Sequence, residues 1–96
     1  MTVAETVVAR RDDILAITAK HGGSNVRLFG SVARGDADEA SDIDLLIDLA
    51  PGRTLFDLGA MVTELRERLE QQVDVVTEQG LRDRIWDRVL SEAKPL

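Results

Sequence analysis

The sequence predicts an α/β (α+β) fold in which helices pack on a small mixed β-sheet of three to four strands. Two observations predict it. Short runs rich in Val, Leu and Ile, typical of buried strands, recur at residues 25–29, 43–49 and 73–77. Segments with helical periodicity lie before, between and after these runs. A chain of 96 residues fits one domain, residues 1–96.

The first predicted element is a helix. Thr2 and Glu5 have the spacing of a capping box, in which each side chain bonds the backbone N–H of the other residue. Gly22-Gly23 marks the end of the helix, because glycine adopts positive φ without strain. Its inward positions are Val7, Val8, Ile14 and Leu15. The strand at 25–29 follows, with a short helix from Gly30-Ser31 to about Gly35.

The second strand, residues 43–49, is apolar enough to be central in the sheet. After the turn at Pro51-Gly52, Thr54 caps a long helix with the clearest amphipathic spacing in the chain. Its apolar positions are Leu55, Leu58, Val62, Leu65 and Leu69. A third strand at 73–77 precedes a last helix that follows Gly80 and is closed by Pro95. That helix carries Leu81, Ile85, Trp86, Val89 and Leu90.

The composition limits the classes of function. The net charge of −6 argues against direct nucleic-acid binding, which needs clustered Lys and Arg, and suits a cation or a basic partner. With no cysteine, disulfides and thiolate metal sites are excluded, which suits the cytoplasm. No apolar stretch of 18 residues is present, so we expect no membrane span and a cytoplasmic protein.

Two carboxylates, Asp42 and Asp44, stand where the second strand begins. Side chains two apart on a strand share a face, and Asp74 converges with them if the second and third strands pair. Two such charges about 4 Å apart repel by about 4 kcal/mol at an effective dielectric near 20. Hard oxygen ligands of this kind suit Mg²⁺, which also binds substrate phosphates. We therefore predict that these acids hold metal.

A phosphate-binding turn is predicted beside them. Gly30-Ser31 lies between a strand and a helix, where backbone N–H groups and the helix dipole favour an anion. Together the two features describe nucleotidyl or phosphoryl transfer. Arg34 is either an exposed helix residue or a phosphate ligand, and Ser41 is either a turn-stabilising hydroxyl or part of the nucleotide site. Three acids between these two residues, Asp36, Asp38 and Glu39, fit a solvated loop.

At these residues the sequence resembles the minimal nucleotidyltransferases, small members of the DNA polymerase β-like nucleotidyltransferase superfamily. Their signature is Gly-Ser, ten residues and Asp-x-Asp; here Gly30-Ser31 is followed by 32–41 and Asp42-Ile43-Asp44. Asp74 matches the third acid, and the close resemblance spans roughly residues 24–77. The resemblance implies the fold of the superfamily. It also implies that Gly30 and Ser31 hold ATP and that the three acids bind two Mg²⁺ ions. Asp74 would also help to deprotonate the acceptor.

The resemblance also implies a partner. Similar proteins are antitoxins that neutralise a HEPN-domain ribonuclease toxin by moving AMP from ATP to a toxin hydroxyl, a tyrosine. About twenty residues follow Asp74, too few for a substrate domain, which favours a folded protein acceptor. Trp86 in the last helix is either part of a docking face for it or core.

Two other functions stay open: an idle antitoxin that acts by stoichiometric binding, and a nucleotidyltransferase for a small molecule. Unpaired sheet edges would also allow a homo- or hetero-oligomer.

Overall fold

The structure is a computed structural model that describes residues 2–38, 40–78 and 84–96. Helices and strands alternate along most of the chain. In order they are α1 (Val3–Ala9), α2 (Arg11–Lys20), β1 (Gly23–Phe29), α3 (Gly30–Arg34), β2 (Ile43–Leu49), α4 (Leu55–Leu69), β3 (Val73–Thr77), α5 (Arg84–Glu92) and β4 (Lys94–Pro95). Among the described residues, none of the helices has the length and apolar character needed to cross a membrane.

The strands form one mixed sheet in the order β3-β2-β1-β4. β1 runs antiparallel to β2 and β4, whereas β2 and β3 are parallel. The predicted mixed sheet and the central position of the second strand are confirmed. β4 was not predicted as a strand, because two residues that include Pro95 carry no strand pattern. Since α5 ends at Glu92, the prediction that Pro95 closes the last helix is wrong.

The predicted first helix is two helices. The capping box of Thr2 and Glu5 forms as expected. At Arg10 the backbone turns to φ −107° and ψ 16°, which separates α1 from α2. Val7 is buried but Val8 is 77% exposed, so the prediction that Val8 faces inward is wrong. In α1 the buried face is set by Val3 and Val7, four residues apart, and the next residue points away from it.

The main core lies between one face of the sheet and the helices α1, α2 and α4. Its buried members are Val3, Val7, Ile14, Ile17, Val26, Val32, Ile43, Leu45, Ile47, Met61, Leu65, Leu69, Val73 and Val75. In α4 the predicted inward position Leu55 is wrong, because the helix reaches this core only from Leu58 onward and Leu55 is 82% exposed. In α5, Val89 is buried and Leu90 is exposed. The predictions for Gly80, Leu81 and the side chains of Ile85 and Trp86 lie outside the described residues.

A β-bulge in β1 sets the register that positions the site. Ser24 pairs with Asp48, but the next pair is Arg27 with Leu46, so β1 carries one extra residue there. Asn25, within the bulge, has a φ of 50°. After the bulge, Phe29 lies opposite Asp44 and the chain enters α3 at Gly30.

Candidate active site

Asp44 and Asp74 are neighbours across the parallel strands β2 and β3, where their Cα atoms are register partners. Partners in register project from the same face of a sheet, so the two carboxylates lie side by side. The expected pairing of the second and third strands is therefore present. Asp42 precedes β2 by one residue and is exposed, whereas Asp44 is half-buried.

The electrostatics of the site are concentrated on Asp44. Burial, followed by the negative charges of Asp74 and then Asp42, raises the pKa of Asp44 to about 6, and Arg34 opposes this shift. The two other acids are therefore close enough for their charges to act on Asp44. A cation bound among them would relieve this repulsion.

The described residues contain no group of three or more His, Cys, Asp or Glu side chains already arranged around a metal position. Asp74 is instead paired with Arg66, whose Nη2 lies 3.5 Å from Asp74 Oδ1. The chemistry of the donor set nevertheless fits Mg²⁺, because all three side chains are carboxylates, and burial together with the charges of the other two raises the pKa of Asp44. Metal binding by Asp42, Asp44 and Asp74 stays a prediction.

Gly30 is in direct contact with Asp44. Its φ of +74° is in the left-handed region, and a Cβ at this position would overlap Oδ2 of Asp44. Any other residue would be strained and would displace the carboxylate. Ser31 follows in the first turn of α3. The N-cap residue of this helix is Phe29, which makes no side-chain hydrogen bond to the helix N-terminus. The predicted phosphate turn and the acids are thus adjacent in space.

The other two predicted nucleotide ligands are engaged elsewhere. Arg34 donates from Nε to Asp36 Oδ2 at 3.2 Å and from Nη1 to Glu92 Oε2 at 3.1 Å, which ties α3 to α5. Ser41 Oγ accepts from Asp38 N at 2.9 Å and donates to Asp38 Oδ1 at 3.2 Å, so its hydroxyl closes the turn before β2. These contacts fit the alternatives in which Arg34 is an exposed helix residue and Ser41 stabilises a turn. The nucleotide-binding roles of both residues stay predictions.

The loop between α3 and β2 carries the remaining acids. Asp36 is exposed and paired with Arg34, and Asp38 is exposed and belongs to the turn with Ser41. Glu39 lies outside the described residues.

Arg66 is the site residue that sequence reasoning missed. It reads as an ordinary exposed position of α4, one residue after the buried Leu65. The chain reverses after α4 at Glu70, which has a φ of 53°, and returns as β3. Only this reversal brings Arg66 to the start of β3, where its Nε donates to the carbonyl of Val73 at 3.1 Å.

Comparison with known proteins shows the family of this chain. The model of the nucleotidyltransferase domain family matches residues 12–95. The chain belongs to this family. The resemblance to minimal nucleotidyltransferases is confirmed by a solved structure described as a candidate minimal nucleotidyltransferase. It is 48% identical, has a TM-score of 0.88, and the match covers 100% of this chain and 97% of the other.

This nucleotidyltransferase domain is also similar to a protein adenylyltransferase and to a further solved structure of the same fold. A candidate protein adenylyltransferase of Methanocaldococcus jannaschii is 41% identical over 83% of this chain and 86% of its own length. The domain is therefore a nucleotidyltransferase. A solved toxin–antitoxin complex with AMP-PNP has the same fold, with a TM-score of 0.76 at 21% identity. That match covers 88% of this chain and 69% of the other.

Proposed function

We propose that this nucleotidyltransferase moves AMP from ATP to the hydroxyl of a tyrosine in a partner HEPN-type ribonuclease toxin. It acts in the cytoplasm, and through this transfer it is the antitoxin of that partner. The reaction is Mg²⁺-dependent. The observation that carries the proposal is the placement of Asp44 and Asp74 in register on one face of the sheet, with Asp44 against Gly30. The names of the relatives, an adenylyltransferase and a toxin–antitoxin complex, support the same activity.

In this reaction the acceptor oxygen bonds to the α-phosphorus of ATP. The bond from that phosphorus to the oxygen bridging to the β-phosphate breaks, and pyrophosphate leaves. Asp42 and Asp44 would hold Mg²⁺, as two ions, and Asp74 would complete one of these sites and take the proton of the acceptor hydroxyl. The bound ions would supply positive charge for the phosphoryl oxygens of the reaction.

The contact between Gly30 and Asp44 supports a nucleotide complexed with a cation. Backbone N–H groups at the start of α3 favour phosphate, but a bare phosphate there would meet the carboxylate of Asp44. Two negative groups so close are stable only with positive charge between them. Phosphate and cation are therefore expected to bind together, with Gly30 and Ser31 on the phosphate side and Asp44 on the cation side.

The surface of α4 supports a protein acceptor. Leu55 and Phe56, in the first turn, are 82% and 89% exposed. A capping box between Thr54 and Asp57 fixes this turn, so the two apolar side chains are presented by a defined backbone. Exposed aromatic anchors on ordered backbone often carry binding energy in protein interfaces. An acidic chain, at a net charge of −6, also suits a basic partner.

The test is the intact mass of the toxin-type partner after incubation with this protein, ATP and Mg²⁺. We expect a gain of one or more AMP units, which disappears with Asp42→Asn/Asp44→Asn. Asp48→Asn is the matched control, because Asp48 is on the same strand and face but is engaged by Arg27 at 2.9 Å and Asn25 at 3.1 Å. This control should retain transfer.

Two other outcomes would replace the proposal. A stable complex without mass gain would establish the stoichiometric antitoxin. Neither gain nor complex would favour a small-molecule acceptor.

A further inference from the structure

The guanidinium of Arg66 makes two contacts with consecutive residues of β3. Its Nε donates to the backbone carbonyl of Val73 at 3.1 Å, in a partly buried position. Its Nη2 lies 3.5 Å from Oδ1 of Asp74. Arg66 thus extends from α4, on the core face of the sheet, to the start of β3, where the third acid of the site lies.

The two contacts differ in what they can fix. Val73 is the register partner of Ile43 in β2, so its backbone carbonyl cannot move independently of the sheet. Asp74 is 55% exposed, so its carboxylate has room to adopt more than one χ1 rotamer. The carbonyl therefore anchors the guanidinium, and the guanidinium determines where the carboxylate of Asp74 rests.

Asp74 lies between two charged groups. Arg66 attracts its carboxylate from one side, and Asp44, its register partner in β2, repels it from the other. With no cation beside Asp44, repulsion from that carboxylate and attraction to Arg66 act in the same direction. A divalent cation at Asp42 and Asp44 replaces this repulsion by an attraction. It must then compete with Arg66 for the carboxylate of Asp74.

We propose that Arg66 is a positioning residue that holds Asp74 on the outer side of the site and thereby weakens the binding of a divalent cation. This inference rests on the proposed function, because it takes Asp42, Asp44 and Asp74 as the cation ligands. The consequence is an order of binding: the cation binds tightly only when the phosphates of ATP add their own oxygens as ligands. The freed guanidinium, still held by the Val73 carbonyl, then remains at the edge of the site as a positive charge.

The experiment is a calorimetric titration of the nucleotide-free protein with Mn²⁺. Arg66→Gln should tighten binding about threefold to tenfold, which is about 0.7 to 1.4 kcal/mol. Arg68→Gln is the matched control, because it removes the same charge from the same helix, and Arg68 pairs with Asp13 at 3.4 Å instead of a site residue. It should change the affinity less than twofold.

A double-mutant cycle separates positioning from general repulsion between Arg66 and the metal. In an Asp74→Asn background, where no carboxylate is available to be held, Arg66→Gln should have no effect on Mn²⁺ affinity. A gain that persists in that background overturns the inference, as does weaker or unchanged binding by Arg66→Gln alone. Absence of Mn²⁺ binding in both the wild type and Arg66→Gln overturns the inference together with the proposed metal site. Normal binding without the Arg66 effect overturns the inference alone.

Discussion

Replacing Asp44 by asparagine should stabilise the cation-free protein at neutral pH. Folding raises the pKa of this carboxyl from its ordinary value of 3.8 to about 6, through burial and then the charges of Asp74 and Asp42. In the unfolded chain the pKa stays near the ordinary value, so ionisation costs more free energy in the folded state. Asparagine has almost the same shape and keeps the contact with Gly30 but carries no charge.

The magnitude follows from the size of the shift. About two pKa units, at about 1.36 kcal/mol each, set a ceiling of about 3 kcal/mol. Asp44 is only half-buried, and screening by solvent reduces the expected gain to about 1–2 kcal/mol. Below about pH 3 the carboxyl is mostly protonated in both states, and the penalty is nearly absent. It develops as the pH rises from about 3 to about 6 and is constant above about 7.

The assay is urea unfolding of the wild type and Asp44→Asn in EDTA, across about pH 4 to about pH 8. The difference in unfolding free energy should be smallest at the acid end and should favour the variant most at the alkaline end. Asp48→Asn is the control for loss of a carboxylate from β2 and should have the opposite sign, since Asp48 is paired with Arg27. Two results would refute the reasoning: a variant less stable than wild type at pH 7.5, or a gain of equal size at pH 4.

Three further substitutions test separate features of the structure. Gly30→Ala should cost more stability than Gly52→Ala. Both glycines have positive φ, which costs alanine about 1–2 kcal/mol, but only at Gly30 does the added Cβ collide with Asp44. Equal losses in thermal unfolding would contradict the contact. Thr54→Ala should lower the unfolding free energy by about 1 kcal/mol in urea because it removes the cap of α4, and an unchanged midpoint would show that the cap contributes nothing. Phe56→Ser should change that free energy by less than about 0.5 kcal/mol, yet weaken capture of the toxin-type partner about tenfold; undiminished affinity would exclude Phe56 from the interface.

The parts of the fold that were predictable depend on local patterns. β2 was recognised from a run of mostly apolar residues, and α4 from its repeat of apolar residues. The placement of Asp44 beside Asp74 followed from the alternation of side chains on two strands, once their pairing was assumed. Gly30 was recognised from the Gly-Ser turn between a strand and a helix, whereas its positive φ and its contact with Asp44 were found only in the structure.

The parts that were missed depend on contacts between distant segments. β4 exists because Lys94 and Pro95 meet β1, and two residues cannot show a period. Leu55 fits the apolar repeat of α4, but its exposure depends on where the helix meets the sheet. The ion pair of Arg66 with Asp74 requires the reversal after α4, which the sequence does not mark with glycine.

The pairing of Phe29 with Asp44 has a consequence for insertions and deletions in related chains. The ten residues between Gly-Ser and Asp-x-Asp look like a fixed spacing, yet the hydrogen bonds between β1 and β2 set the distance from Gly30 to Asp44. Residues added to the loop at 36–41 would lengthen a surface excursion at little cost and leave the site in place. Deleting one residue at the bulge near Asn25 would shift the ladder by one step and turn Phe29 towards the opposite face of the sheet. Sequence searches for such sites should therefore allow variable length in the loop and none in the strand.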